Sequence, residues 1–328
     1  IALESPRMMP RWAGLTAPFR WLIDALDVGR HQPAVIVSAI LLTVAVGFLP
    51  SLPVQLMTMA GSPPGMAVQL LFQAIGLVVS LAISPVLVAG IYRLLEGAER
   101  GRPVAVAQLG DGFRDGSWGA IVLVTGLGYV LMYGLLLAMM TVVAAVTGVE
   151  ALQALQQWLE QFMALQAKAQ ESGAALQPDD LPKPPEGLGP AVLVVLAFLP
   201  LWLVVALGLG WALVSVALRG TAPLAAVIGG LRAAGINALP LLMFGLALVL
   251  PALLAGLLFG LVMAAVVALA SLLGPLVGGV IALAMAMAVA VVFAAISYGF
   301  TLNGWRATCD DVADPHADGR PEIAGFEA

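Results

Sequence analysis

"GSWGAIVLVTGLGYVLMYGLLLAMMTVVAAVTGV" runs from Gly116 to Val149 without a charged side chain. A helix rises ~1.5 Å per residue, so ~20 apolar residues cross the ~30 Å hydrocarbon core of a bilayer. This stretch is long enough. Its apolar residues are continuous, whereas a membrane β-strand alternates apolar and polar positions over ~10 residues. The whole chain has the same character: 61% of residues are hydrophobic and 10% charged, too few charges to cover a soluble surface. The sequence reads as all-α and as an integral membrane protein.

Charges and helix breakers divide the rest. No formal charge falls between Arg30 and Arg93, and "LPSLPVQLMTMAGSPPG" (Leu49 to Gly65) breaks that run. A first helix is expected at about 33–50 and a second at about 67–95. Gly116–Val149 is the third, and the run between Glu186 and Arg219 is the fourth. Arg232 to Arg306 is uncharged and too long for one crossing, and "SLLGPLVGG" (Ser271 to Gly279) turns it into helices five and six. Pro85, Pro240 and Pro251 should kink their helices locally.

Arginine placement tests the six-crossing layout. Arg7, Arg11, Arg20 and Arg30 precede helix one; Arg93, Arg100, Arg102 and Arg114 lie between two and three. Arg219 and Arg232 lie between four and five, and Arg306 and Arg320 follow six. All twelve arginines therefore share one side, which the positive-inside rule makes cytoplasmic. The other side holds Lys168 and Lys183 with six acids, from Glu150 to Glu186. Arg-rich, Lys-poor composition with abundant Ala, Gly and Pro points to a GC-rich bacterial genome, and hence to a bacterial inner membrane with both termini cytoplasmic.

Two connectors repeat. "ERGRPVAVAQLGDGFR" (Glu99 to Arg114) and "LRGTAPLAAVIGGLR" (Leu218 to Arg232) each open on Arg-Gly and close on Arg two residues after Gly. "LDVGRHQPAVIV" (Leu26 to Val37) resembles the end of the same unit, with Asp27 and Arg30 matching Asp111 and Arg114. The expected architecture is a bundle of three tandem helical hairpins, each entered through a cytoplasmic amphipathic connector. Asp three residues before Arg puts the pair on one helix face. Arg30, Arg114, Arg232, Arg100 and Arg219 are the candidate contacts for anionic lipid or for a partner.

The domain boundaries follow: residues 1–32 as a cytoplasmic amphipathic lead-in, 33–307 as the membrane domain with an outer insertion at 148–187, and 308–328 as an acidic, disordered tail. The lead-in lacks the apolar core of a cleavable signal, and an initial Ile points to a start upstream. In the insertion, Thr147 and Glu150 have capping-box spacing. Val149, Leu152, Leu155, Leu159, Phe162 and Leu165 then give one apolar face on a helix running to about Glu171. Leu155, Leu159 and Phe162 are the candidate outer interface, packed on the bundle or docking a periplasmic protein.

Catalytic arrangements are sparse. The two histidines, His31 and His316, and the single Cys309 make no metal cluster. Ser38, Ser80, Ser84, Ser215 and Ser297 have no base at a readable spacing. "GLG" at 126–128 and 208–210 lies inside apolar helices, where glycine permits close helix contact and no phosphate loop is formed. Trp21, Trp118, Tyr298 and Trp305 fit an interfacial belt. No catalytic, cofactor or metal site is expected. The expected partners are the bilayer, anionic lipids and a membrane or periplasmic protein, without nucleic acid. The chain reads as a non-enzymatic, partner-binding or envelope-organising protein, with a transporter or lipid-handling component as the alternative.

"FRWLIDALDVGRHQP" (Phe19 to Pro33), "SPVLVAGIYRLLEGAERGRPVAVAQLGDGFR" (Ser84 to Arg114) and "SYGFTLNGWRATCDDV" (Ser297 to Val312) together resemble the six-helix integral membrane proteins of proteobacteria sometimes labelled BPSS-type. More loosely, the chain is similar to the membrane domain found beside some glycerophosphodiester phosphodiesterases. The resemblance implies an inner-membrane protein, and the phosphodiesterase chemistry does not carry over because its soluble domain is not here.

Overall fold

A computed structural model describes residues 10–27, 30–59, 65–172, 182–183, 185, 189–271 and 274–309. The acidic tail beyond Cys309 and the proline-rich return at 173–181 lie outside the described residues. Among those described, every regular element is helical. Four helical segments are long and apolar enough to cross a membrane: Met66–Glu99, Trp118–Thr147, Gly189–Arg219 and Val277–Thr308. A fifth is reached if Pro223–Ile236 and the start of the next helix, bent by 67°, count as one span. The protein is a multi-pass, membrane-embedded helical protein. Leucines such as Leu193, Leu246, Leu257 and Leu261 are more than half exposed, a surface that lipid covers at no cost and water does not.

The chain divides into two compact units, residues 1–127 with 207–328, and residues 128–206. In the first unit, α1 (Ala17–Leu26) leads to α2 (Pro33–Phe48) and a short α3 (Leu52–Met59). The break expected from Leu49 to Gly65 thus contains a helix. Pro50 has no N–H to extend α2, so although Leu49 is still helical in φ/ψ the helix ends there and the chain restarts at Leu52. Ser51 secures the corner by donating to the Phe48 carbonyl (2.8 Å).

The second expected helix is longer than its sequence signal and irregular. α4 (Met66–Val78) passes through a π-helical turn, Val79–Ile83, into α5 (Ser84–Glu99). Pro85 lacks the N–H for the i→i−4 ladder and crowds the turn before it, and the wider turn relieves both defects. The Trp118 indole donates to the Ala82 carbonyl of that turn (3.1 Å). Both repeated connectors are helical: a 3₁₀ turn Val106–Gly110 with α6 (Asp111–Arg114) in the first, and α10 (Pro223–Ile236) in the second.

α7 (Trp118–Thr147) and α9 (Gly189–Arg219) belong to both units, and α11 (Ala238–Ser271) and α12 (Pro275–Thr308) complete the first. Val86 and Ala89 of α5, Ile121 and Val124 of α7, Ala212 and Val216 of α9, and Ala226 and Val227 of α10 form one buried cluster. Small residues let these backbones approach. Gly208 and Gly230 meet where α9 crosses α10, and Gly90 faces the backbone of Leu109. Of the two "GLG" stretches, the one at Gly208 makes the expected close contact, while Gly126 has open space around its Cα.

The lead-in is part of this unit. α1 packs on α12 and α11, and Trp21 is buried edge-on to Trp211 (6.0 Å) and Phe300 (5.7 Å). Trp305 is buried as well, so of the four residues assigned to an interfacial belt, Trp21 and Trp305 are core, and Trp118 is the well-exposed one. Before α1, Arg11 closes the end of α12: its backbone N–H donates to Thr308 O (2.9 Å) and its Nε to Ala307 O (2.6 Å). These carbonyls have no partner within the helix, and a cation suits that end of the helix dipole. Asn237, fully buried at the α10–α11 bend, accepts from Ala13 N (2.9 Å) and donates to Arg11 O (2.9 Å).

The second unit contains α8 (Val149–Ser172), close to the expected outer helix. Its start differs in detail. The Thr147 hydroxyl turns back to Val143 O (2.8 Å), and Gly148 makes the break with φ 81°, a conformation that a side chain would oppose. Leu159 is 46% exposed. Phe162 stacks on Trp158 (5.7 Å), whose indole donates to Pro182 O (2.7 Å). The Leu155 side chain lies outside the described residues.

Gly230→Ala should destabilise the protein by at least ~1–3 kcal/mol, because its new Cβ would fall on the Gly208 carbonyl oxygen. Gly235→Ala, on the same helix with nothing within 4 Å, should be neutral or slightly stabilising. Thermal unfolding of the two purified variants checks this, and equal melting temperatures would contradict the close crossing.

Candidate functional site

The last two turns of α5 carry Arg93 and Glu96, and Arg100 follows as its C-cap, a spacing that puts the three side chains on one face. That face meets the turn entering α7, the last turn of α9 and the end of α12. One end of each of the four membrane-length segments therefore takes part in a single polar layer.

Arg93 organises it. Its Nη1 pairs with Asp115 (2.7 Å), its Nη2 donates to Ser117 Oγ (3.1 Å) and its Nε donates to Ala217 O (2.9 Å). All three guanidinium nitrogens are used, each on a different group, and a carbonyl of the last turn of α9 gains a cationic partner. Partial burial opposes the charge on Asp115, but hydrogen bonds from Ser117 and the Arg93 guanidinium outweigh it and hold the carboxyl below its usual range. Asp115 also accepts from Ser117 N (2.9 Å), which fixes the turn entering α7.

Glu96 is shared by two cations. Arg100 pairs with one of its oxygens and Arg306 of α12 with the other, and Arg306 also pairs with Glu99. Beside them Trp305 donates its indole N–H to Ser215 Oγ (2.6 Å), while the Arg219 guanidinium lies 5.7 Å from the centre of the Trp305 ring. Ser215 in turn donates to Trp211 O (2.8 Å). Its hydroxyl has two partners inside the helices and serves packing.

These groups surround a cavity of about 410 Å³ lined by Arg93, Glu96, Arg100, Arg102, Asp115 and Arg219. Four arginines and two acids are among its lining residues. Adding Arg306 and Glu99, which pair at its edge, leaves the positive excess unchanged. Such a lining suits an anion with several acceptor oxygens.

Of the five arginines named as candidate contacts, Arg100 and Arg219 line this cavity. Arg30 instead forms an exposed pair with Asp27 (2.6 Å), and Arg114 and Arg232 are exposed and outside the lining. The matching Asp111–Arg114 pair does not form. Arg100 and Arg219 thus line this cavity at the ends of α5 and α9, while Arg30, Arg114 and Arg232 stand elsewhere. Arg93, Glu96, Arg102, Asp115 and Arg306 were missed as site residues. Their signal was present in Arg93, Glu96 and Arg100, one helix face just inside the end of an apolar span. Cys309, buried against the Thr308 hydroxyl (3.3 Å), lies apart from this lining.

Comparison with known proteins finds no matching family model, no matching curated protein and no matching solved structure.

Arg93→Ala should lower stability by about 1.5–3 kcal/mol, the usual worth of a charged hydrogen-bonding group whose partners are then left unpaired. Arg93→Lys should recover only part of it, since an ammonium cannot reach three separate acceptors as the planar fork does. Denaturation of the purified variants checks the order wild type, Lys, Ala. Full rescue by Lys would show that charge alone matters.

Proposed function

We propose that this is a six-crossing bacterial inner-membrane protein that acts by binding, with no chemistry of its own, and that its ligand is an anionic group held in the arginine-lined cavity on the cytoplasmic face. The observation that carries the binding site is the cavity itself, with its four arginines against two carboxylates.

Hydrogen bonds at the polar layer support six crossings. Gln32, at the start of α2, donates to Arg102 O (2.7 Å) and accepts from Val104 N (3.2 Å), both just past α5. The chain therefore leaves and returns to one level between them. If Met66–Glu99 crosses the membrane, the α2–α3 segment must have carried the chain over first. The same parity applies to α11, whose start at Asn237 is tied to Arg11, while Arg11 also closes the end of α12. The arginine bias favours the cytoplasmic side for this layer.

Two observations favour binding over transport. The described interior between α5, α7, α9 and α10 is filled by side chains, and the cavity lies at the span ends, away from the mid-depth where carriers hold substrate. Threonines within the spans, such as Thr43, Thr125 and Thr301, donate to carbonyls one turn back and contribute no polar path.

In nanodiscs, the melting temperature of the purified protein should be higher by roughly 2–4 °C in phosphatidylglycerol than in phosphatidylcholine, as expected for a ligand that binds the folded state. Equal melting temperatures in the two lipids, with no response to any soluble anion, would overturn the reading.

A further inference from the structure

We propose that the group held in this cavity is a phosphate, gripped between the guanidinium groups of Arg100 and Arg102. This rests on the anion-binding reading above and specifies its chemistry.

The arginines of the layer divide by what already occupies them. Arg93 uses all three nitrogens on Asp115, Ser117 and Ala217, so it forms wall. Arg306 is spread across Glu96 and Glu99. Arg100 is different: its partner Glu96 also holds Arg306, so Glu96 keeps a cation if Arg100 turns to a ligand. Its side chain is about half exposed, which leaves it room to turn.

Arg102 is exposed, yet its backbone is fixed. Its N–H donates to Gly97 O (2.9 Å), its carbonyl accepts from Gln32 Nε2 (2.7 Å), and Gly101 before it holds the tight turn with φ 68°. The turn places two arginines on the same rim with little backbone freedom left to lose, which favours binding.

Phosphate is the anion that fits. The lining carries an excess of two positive charges, and a phosphate monoester carries about −1.5 to −2 near neutral pH with three acceptor oxygens. A phosphodiester headgroup such as that of phosphatidylglycerol offers a single charge on a pair of free oxygens, which the same two guanidinium groups can share. Guanidinium forks match that geometry better than ammonium groups do. The volume exceeds what one phosphate needs, so the alcohol part of an ester has space beside Leu218 and Gly97. The source is either a lipid headgroup or a soluble phosphate ester. Exposed Phe113 and Trp118 flank the Asp115 wall and suit the acyl boundary of a lipid.

The test uses the full chain in neutral maltoside detergent, with melting temperature followed against inorganic phosphate, citrate and sodium chloride at matched ionic strength. Phosphatidylglycerol nanodiscs form a separate arm. Phosphate should raise the melting temperature by roughly 2–4 °C when well above its dissociation constant. Arg100→Gln and Arg102→Gln should lose that rise, and Arg232→Gln, exposed outside the cavity, should keep it. A rise with phosphatidylglycerol alone, lost in the same two variants, supports the proposal with lipid as the source. A rise with inorganic phosphate supports a soluble source. An equal rise with citrate overturns the choice of phosphate while leaving anion binding intact. Wild-type responses in both Arg100→Gln and Arg102→Gln overturn the site.

Discussion

The Arg93 guanidinium joins elements that the rest of the structure needs together. It ties the last turns of α5 to the turn entering α7 through Asp115 and Ser117, and to the end of α9 through Ala217 O. Burying a cation is costly unless it is paired and its N–H groups are satisfied. Here both conditions hold at once. Glu96 extends the same layer to α12 through Arg306. Because ionic groups need fixed partners, this layer sets which helix ends stand side by side, a task that apolar packing between lipid-facing helices does weakly.

Below the layer, packing depends on what is missing from side chains. Gly208 and Gly230 let α9 and α10 touch at backbone distance, and Gly304 leaves room for the Trp211 indole. Some polar groups in the spans are answered locally, as when Ser215 accepts from Trp305 and donates to Trp211 O, whereas the buried indole N–H groups of Trp202 and Trp211 have no partner among the described residues. The N-terminal segment then closes the assembly from the polar end, with Arg11 on the α12 carbonyls and Asn237 holding the segment in place. The cavity lies within this layer, so its lining residues include those that tie the helix ends together.

Much of the architecture is readable before any coordinates. Long uncharged runs announce membrane helices, and the repeated Arg-Gly connectors do form helices at 106–114 and 223–236. What periodicity misses is irregular backbone: the corner at Pro50 and the π turn before Pro85 come from proline's missing N–H, and their exact form depends on neighbours. The site is half legible. Arg100 and Arg219 stand out as flanking charges. Arg93 and Glu96 look like ordinary span-end residues, because their importance lies in partners 22 or more residues away, such as Asp115 and Arg306. Trp21 reads as interfacial by position, yet it is core because α1 folds back onto α12.

The central claim of the proposed function is that α2–α3 and α11 cross the membrane along with the longer spans, so that every arginine-bearing helix end returns to one face. Labelling of single cysteines in intact cells with a membrane-impermeant maleimide, in a Cys309→Ser background, tests it most directly. Met66→Cys and Gln156→Cys should react from outside, whereas Arg102→Cys and Arg232→Cys should react only after the membrane is permeabilised. Reaction of Met66→Cys and Arg102→Cys from the same side would contradict the account.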